Sequence, residues 1–505
     1  MISFPSIASA IERLCPARIR LMVLGAVTTL LLAVHFYNCV LAIHQEYLPT
    51  SSDEIDYVKS VEYFVSNGQA KAFSTFDELY SLRGEYSFRG PVYAIIFGSP
   101  QKIFGFYSIY FIIYSNIFLS IASIFIVFIL VKEIELKLIS MSIIISSPIF
   151  FIYTTSYMME SFQIFVSLII LSVFPILLSY PILGLVVPFL LGFTRQSNFL
   201  YSTAAFGRRM SGARFTLMAC LWGFALILLS LELHFLHASF PGGKLAEATQ
   251  MLARLDLLGA GRILASNVTQ GAVRYFASPE DGSFYLVARY IFLAATIYCL
   301  FLGFGRSQPP LIAAGMAGLA FFIALLALYD VGEWRDLRSL AGITVFSIVI
   351  LGQHRRRLFL FSALLVQLTV YPALMDYRAQ FNGQRVMPFI NQMDGAGEQI
   401  SAYKALSTLP NTRDNQKFIL LSVEAGLFPT DMSVAYLSLP VRSDSGVPMR
   451  YTFHRNGLPG SSKADYQLSA RPCPDSTTAL GTSFFQVCRL AVQQSPRGTE
   501  LDIEN

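Results

Sequence analysis

The sequence predicts a polytopic α-helical membrane protein, with about eleven crossings, that ends in a small soluble α/β domain. Three observations carry this. Of 505 residues, 54% are hydrophobic and only 14% charged, where ordinary soluble domains carry roughly 25% charged residues. The apolar residues, 43 phenylalanines among them, are gathered into long uncharged runs. Beyond about residue 375 the composition turns polar. A bilayer core roughly 30 Å thick needs about 20 apolar residues in a helix, and the mean hydropathy of +0.54 fits many such segments.

The runs fall near 21–43, 104–131, 138–158, 161–179, 215–233, 286–305, 309–329, 339–352 and 358–375. The first follows Arg13, Arg18 and Arg20 and is too long for a signal-peptide core, so it is expected to be a retained helix with a cytoplasmic N-terminus. Residues 161–194 carry no charge and exceed one crossing; Pro175, Pro181 and Pro188 punctuate them, which predicts a turn near Ser179–Pro181. Basic clusters sit at 132–137 (KEIELK), 207–214 (GRRMSGAR), Arg306 and 354–357 (HRRR). All four lie on the cytoplasmic side only if 182–206 makes two short crossings or a re-entrant hairpin, with Arg195 at its outer apex. A single crossing there would reverse everything that follows. The net charge of +5 is therefore read as loop charge, and no nucleic-acid partner is expected.

This topology leaves the loop 44–100, the loop 234–285, the turn 329–338 and the tail on the outer side. The domains are expected at 1–375, including the first loop, and 376–505. In the first loop, Val58, Val61, Tyr63, Phe64 and Val65 predict a helix lying along the membrane interface. In the tail, KFILLSV (417–423) and FFQVCRLAV (484–492) read as strands, and 391–407 has helical spacing. Of six cysteines, Cys15, Cys39, Cys220 and Cys299 lie in or beside apolar runs, where a thiol packs as a small hydrophobe. Cys473 and Cys488 fall in the tail, where a disulfide is expected if the tail is extracytoplasmic; in the chain-entropy model it adds about 3 kcal/mol. Asn267-Val-Thr269 matches a glycosylation sequon. No spacing suits a metal, and no cofactor is expected.

Ionisable residues beside membrane helices are functional candidates. Asp53, Glu54 and Asp56 follow the first helix within SSDEIDYVKSVEYFVSNG. They are read either as helix-capping charges, which suit an N-terminus, or as a carboxylate general base at the water–lipid boundary. The same loop continues as RGEYSFRGPVYAIIFG, where Arg89 and Tyr93 read as phosphate contacts or interfacial anchors. Glu160 stands between two uncharged runs in TTSYMMESFQIF. Arg195 in GFTRQSNF needs a partner or a lipid phosphate. YDVGEWRDLRSL adds Asp330, Glu333, Arg335, Asp336 and Arg338, whose guanidinium forks suit phosphate oxygens or make a surface ion pair of little worth. All these residues are expected on one face of the membrane. That arrangement suits transfer from a lipid-linked phosphosugar, with a carboxylate as base and arginines on the departing phosphate.

In this order of motifs the chain resembles the GT-C class of integral-membrane glycosyltransferases, which includes protein O-mannosyltransferases and lipid A aminoarabinose transferases. The likeness rests on Asp53, Glu54 and Tyr57 after the first helix, a loop helix ending SNG, the RGPVYAIIFG segment, the SYMMES turn with Glu160, the GFTR turn, and a closing polar domain. It implies a polyprenyl-phosphate sugar donor, a glycan, lipid or protein acceptor, and a site between the first outer loop and the membrane. The family's first-loop acid maps to Asp53, with Asp56 competing; Arg195, Arg335 and Arg338 take the phosphate-binding role, with Tyr57, Arg89, Tyr93 and Glu160 as further contacts. The RDLRSL stretch lacks the RY-x-x-P pattern many relatives carry. Many members of the class work without a metal, while the oligosaccharyltransferase branch uses one. Inversion at the sugar carbon and a multi-pass location in the plasma (inner) membrane are the matching expectations. The alternatives are a lipid-linked glycan ligase or polymerase centred on Arg254, Arg262 and Arg274, a transporter of lipid or glycan without chemistry, and a structural subunit of a membrane complex.

Overall fold

The computed structural model describes residues 16–44, positions 54, 57, 58, 60, 61, 64, 65 and 68–70, then 91–207 apart from 109. It continues with 212–236, positions 251 and 254, 256–276, 282–328, 335–385, and short segments at 419–423, 449–453, 466–469, 472–473, 478–481 and 486–489. Two compact units emerge, 1–47 with 88–382 and 48–87 with 383–505. Most of the first loop, expected to belong with the helices, thus groups with the tail, and the last helix runs past the expected boundary at 375.

In chain order the helices are α1 (Ala17–His44), α2 (Val92–Ile103), α3 (Tyr110–Leu130), α4 (Ile134–Ile145), α5 (Pro148–Tyr153), α6 (Glu160–Ser179) and α7 (Pro181–Gly192). A 3-10 segment (Gln196–Gly207) follows, then α8 (Gly212–Leu236), α9 (Leu257–Phe276), α10 (Ser283–Gly305), α11 (Pro309–Leu328), α12 (Arg335–Gln353) and α13 (Arg357–Arg385). Among the described residues seven helices are long and apolar enough to cross a membrane, and α7 and most of α12 are shorter apolar helices. The protein is therefore a polytopic helical membrane protein. Its outer face carries Met22, Phe118, Phe125, Phe301 and Phe304, each more than 60% exposed. A surface of that kind is covered by lipid.

Local chemistry sets the breaks. Pro148 disfavours helical geometry at the preceding residue, and Ser147 is extended there (ψ 139°), its Oγ accepting from Phe150 N at 3.3 Å to cap α5. The break frees the carbonyl of Ile143, and Gln367 Nε2 on α13 donates to it at 3.2 Å. Pro181 opens α7 directly after α6. The α7 helix packs on the 3-10 segment, and Arg195 lies between them. Trp222 on α8 closes this layer, stacking on Phe199 at 5.4 Å and donating Nε1–H to Ser202 Oγ at 2.8 Å.

Gly342 decides how α12 meets α6. A Cβ there would collide with Ser167 Oγ and lie 3.1 Å from the Gln163 carbonyl. Ser167 in turn donates to that carbonyl at 2.8 Å and accepts from Tyr201 of the 3-10 segment at 2.7 Å. The bare glycine lets the two helices touch, one turn from Arg338.

The second unit contains a five-stranded mixed sheet in the order β2-β1-β3-β5-β4, from β1 (Ile419–Val423), β2 (Met449–Phe453), β3 (Tyr466–Ser469), β4 (Thr478–Gly481) and β5 (Gln486–Arg489). The pairs β1–β2 and β1–β3 are parallel; β3–β5 and β4–β5 are antiparallel. Both strands expected from KFILLSV and FFQVCRLAV are present, as β1 and β5. A disulfide joins Cys473 to Cys488, with Cα atoms 5.4 Å apart. The helix expected at 391–407 lies outside the described residues. The sequon residue Asn267 is buried within α9, and its Nδ2 donates to the Ala327 carbonyl at 3.2 Å, which leaves no room for a glycan in this fold.

Candidate functional site

The site is built on the buried turn that joins α5 to α6, residues 153–160. Every residue of it is buried inside the helical unit, so its carbonyls need donors away from water. Neighbouring helices supply them. Asn116 on α3 donates Nδ2 to the carbonyls of Ser156 (2.8 Å) and Met158 (2.7 Å), and the Tyr93 hydroxyl on α2 donates to the carbonyl of Tyr157 at 2.7 Å. Within the turn, Thr154 Oγ1 donates to the Phe150 carbonyl and Ser156 Oγ to that of Tyr153. This braces the turn and fixes where Glu160 begins α6.

Three arginines far apart in sequence converge on it: two lie on α12 and α13, and one lies between α7 and the 3-10 segment. Arg338, in the first turn of α12, bonds Glu160 Oε1 through Nε at 2.8 Å; its Nη2 lies 3.5 Å from Met158 Sδ and its guanidinium 5.7 Å from the Tyr153 ring centre. Arg195 reaches the same carboxylate oxygen at 3.7 Å, and its Nη2 is 3.5 Å from Ser339 Oγ. Arg378 on α13 donates Nη2–H to Thr155 Oγ1 at 2.8 Å and stacks 4.1 Å over Phe151. The Glu160 side chain is fully buried, and Arg338 is 5% and Arg195 13% exposed.

The two contacts of Glu160 differ in kind. The Arg338 bond is short and buried, where losing one partner strands a charge. Arg195 is held only by two long contacts, so most of its donors have no protein acceptor at hydrogen-bonding distance among the described residues. Glu160 Oε2 is likewise buried without a hydrogen-bond partner there. The arrangement offers a guanidinium fork for an oxyanion and a spare carboxylate oxygen for a hydroxyl or amine proton, with Arg338 fixing the carboxylate.

Of the residues singled out from sequence, Glu160, Arg195 and Arg338 are brought together. Tyr93 is close by, buried (1% exposed) with its hydroxyl on the turn. Arg335 is the first residue of α12, and its side chain lies outside the described set, as do Asp53, Asp56 and Arg89. In the other unit Glu54 and Tyr57 are helical and buried, at 1% and 2% exposure. Among the described residues no group of three or more His, Cys, Asp or Glu could hold a metal.

Sequence reasoning missed Arg378 and Asn116. Both carried a signal. On α13 the buried positions Leu360, Leu364, Gln367, Leu374 and Arg378 recur at steps of three, four and seven, so helical periodicity alone aims Arg378 inward. Asn116 stands on the same kind of stripe with Ile112, Ile113 and Ser120. What the geometry defines is a polytopic membrane protein with a buried carboxylate–arginine centre. No protein-family model, characterised protein or solved structure matches the chain.

Proposed function

We propose that the protein is a membrane glycosyltransferase of GT-C type, taking a sugar from a polyprenyl-phosphate donor to an acceptor at the extracytoplasmic face. The observation that carries this reading is the meeting of Arg195, Arg338 and Arg378 on the Tyr153–Glu160 turn, inside a helical unit whose outer face is apolar. Such a centre recognises an anion that arrives on a lipid. Phosphate fits best, because a guanidinium matches its oxygens in pairs.

In this mechanism Arg195 binds the donor phosphate, and Arg338 holds Glu160 in place as a positioning residue. A first-loop carboxylate, Asp53 with Asp56 as the competing choice, accepts the acceptor's proton. The acceptor oxygen attacks the anomeric carbon, the bond from that carbon to the phosphate oxygen breaks, and polyprenyl phosphate departs with the electron pair. Attack opposite to the leaving group inverts the carbon. The negative charge that grows on the leaving phosphate is met by the Arg195 guanidinium, and stabilising developing charge in this way is typically a large catalytic contribution. The reading also takes the membrane-crossing count as eleven, with α7 and the 3-10 segment as the two short members and α4–α5 as one broken span. The N-terminus is then cytoplasmic, the β-sheet unit extracytoplasmic, and the protein resides in the plasma (inner) membrane.

The test is transfer from radiolabelled polyprenyl-phosphate sugar by the full chain in lipid. Arg195→Gln and Asp53→Asn are expected to lower turnover by about a hundredfold or more, the scale of losing one charge-stabilising contact, with folding unchanged by size-exclusion profile. Undiminished transfer in both variants would falsify the mechanism.

Transport of an amphiphile is a second reading, favoured by the break between α4 and α5. A small apolar cavity lies beside it, lined by Ile143, Ser147, Ile164, Thr344, Ile348 and Gln367. Broken helices at mid-membrane are a transporter feature. Donor flipping in liposomes without any glycosyl transfer, abolished by Gln367→Leu, would favour this reading over the enzyme.

A further inference from the structure

Helices α10 and α12 end in the same way, and the two ends meet. The N–H of Gln308 bonds back to the Gly303 carbonyl at 2.9 Å, and that of Arg356 to the Leu351 carbonyl at 3.0 Å. This is the six-to-one closure of a Schellman turn. The left-handed position of each falls on a residue with a Cβ, Ser307 (φ 50°) and Arg355 (φ 60°). The α2 helix closes by the same pattern but uses Gly105 (φ 68°), the residue that suits this geometry.

The turn after α12 sends consecutive arginines to different places. Arg355 and Arg357 reach Glu133, at 2.8 and 2.7 Å. Arg356 instead turns to the α10–α11 connection, where its Nη2 donates to Gln308 Oε1 at 3.3 Å. Arg306 stands in the same connection, two residues before Gln308. Among the described residues no carboxylate pairs with either cation, and Arg356 Nε is buried without a hydrogen-bond partner. Burial first, and the charge of Arg306 second, push the Arg356 pKa down. Being at the C-terminal ends of α10 and α12 gives each cation a favourable macrodipole interaction. That explains why charge is tolerated there, but not why one arginine buries an unused donor beside another.

We propose that the turns 306–308 and 354–356 form a binding site for a phosphate anion, the group shared by an anionic phospholipid headgroup and free phosphate, with Arg356 and Arg306 as its cations and Gln308 holding Arg356 in place. An anion there accepts from the guanidiniums of Arg356 and Arg306, offsets their like charge, and matches their fork geometry. The site is at the opposite end of α12 from the Glu160 centre and does not depend on the function proposed for that centre.

Native mass spectrometry of the full chain in detergent, supplied with phosphatidylglycerol or phosphatidylcholine, tests the lipid source. A thermal shift with inorganic phosphate against chloride at equal ionic strength tests the free ion. Selective retention of phosphatidylglycerol by the wild type is expected, reduced about tenfold in Arg356→Gln and in the exposed-side variant Arg306→Gln, the loss of one charge-assisted contact. Arg357→Gln, whose partner is Glu133, serves as the control that keeps binding. A phosphate-specific thermal shift that both variants lose, without lipid retention, assigns the site to the free ion. Equal retention of the two lipids together with no phosphate shift, or binding unchanged in both variants, overturns the proposal.

Discussion

Glu160 and Glu133 are each held by two arginines, at opposite ends of the helix pair α4–α5, yet the two clusters differ in worth. Glu160 is fully buried with Arg338 5% exposed, while Glu133 is 25% exposed and its partners Arg355 and Arg357 are 75% and 45% exposed. The short contacts are alike, 2.8 Å at the buried end and 2.8 and 2.7 Å at the exposed one. Burial, not distance, separates them. In water a surface pair trades solvation for attraction at little net gain. In the interior the attraction is stronger, but so is the cost of having lost water, and the pair is indispensable mainly because neither member can stand alone.

The largest effect should therefore come from breaking one side of the buried pair. Glu160→Gln keeps the shape and removes the charge, leaving Arg338 buried opposite an amide. A loss on the order of 3–5 kcal/mol is expected, read as a lower midpoint of thermal or denaturant unfolding in detergent. Arg338→Met should match it. A cost below about 1 kcal/mol for both would put the pair in the surface class and remove the contrast between the two ends.

Next in size is Gly342→Ala, which tests how the buried end is assembled rather than its charges. The new Cβ meets Ser167 Oγ, a hydroxyl already engaged with Tyr201 and the Gln163 carbonyl. Overpacking of this kind costs about 1–3 kcal/mol. Because Gly342 lies one turn from Arg338, the variant should also loosen the Glu160 contact. A Gly342→Ala cost that is the same with and without Glu160→Gln would show that the helix contact and the ion pair are independent. Tyr93→Phe belongs at the lower end of the same range: it removes the hydroxyl that donates to the Tyr157 carbonyl, and a hydrogen bond contributes about 1 kcal/mol net.

These two ends also show what is legible in the sequence alone. Helix positions followed from uncharged runs and prolines, because lipid admits few alternatives to a helix; the turn at Ser179–Pro181 and the short segments flanking Arg195 are cases. Glu160, Arg195 and Arg338 were legible as candidates, since a charge interrupting an apolar stretch must find a partner. Their pairing was not legible, because it depends on Gly342 letting α12 touch α6, and a glycine in an apolar run carries no sign of which helix it faces. Arg378 lies past the domain boundary expected at 375, yet α13 continues through Pro372 to Arg385. Proline bends a membrane helix more often than it ends one when neighbours satisfy the freed carbonyl. The acids at Asp53 and Asp56 lie outside the described residues, so the first-loop base rests on sequence and on the transfer experiment.

The smallest effect is expected at Glu133, and its sign can be worked out. Hydrogen bonding to Arg357 first, then the charges of Arg357 and Arg355, outweigh the opposing effect of burial and hold the Glu133 carboxyl below its ordinary 4.5. A carboxyl with a depressed folded-state pKa adds stability above its unfolded value and loses it as pH falls through the folded one. Glu133→Gln should therefore cost no more than about 1 kcal/mol near neutral pH, the range of an exposed pair. Its difference from wild type should shrink below pH 4.5 and vanish once the carboxyl is protonated. Added salt should shrink it too, since the Debye length is only about 3 Å at 1 M, whereas the Glu160→Gln cost should hold in salt. A Glu133→Gln cost that persists unchanged in 1 M salt would mean that this cluster is shielded from solvent ions, and that exposure does not separate the two ends after all.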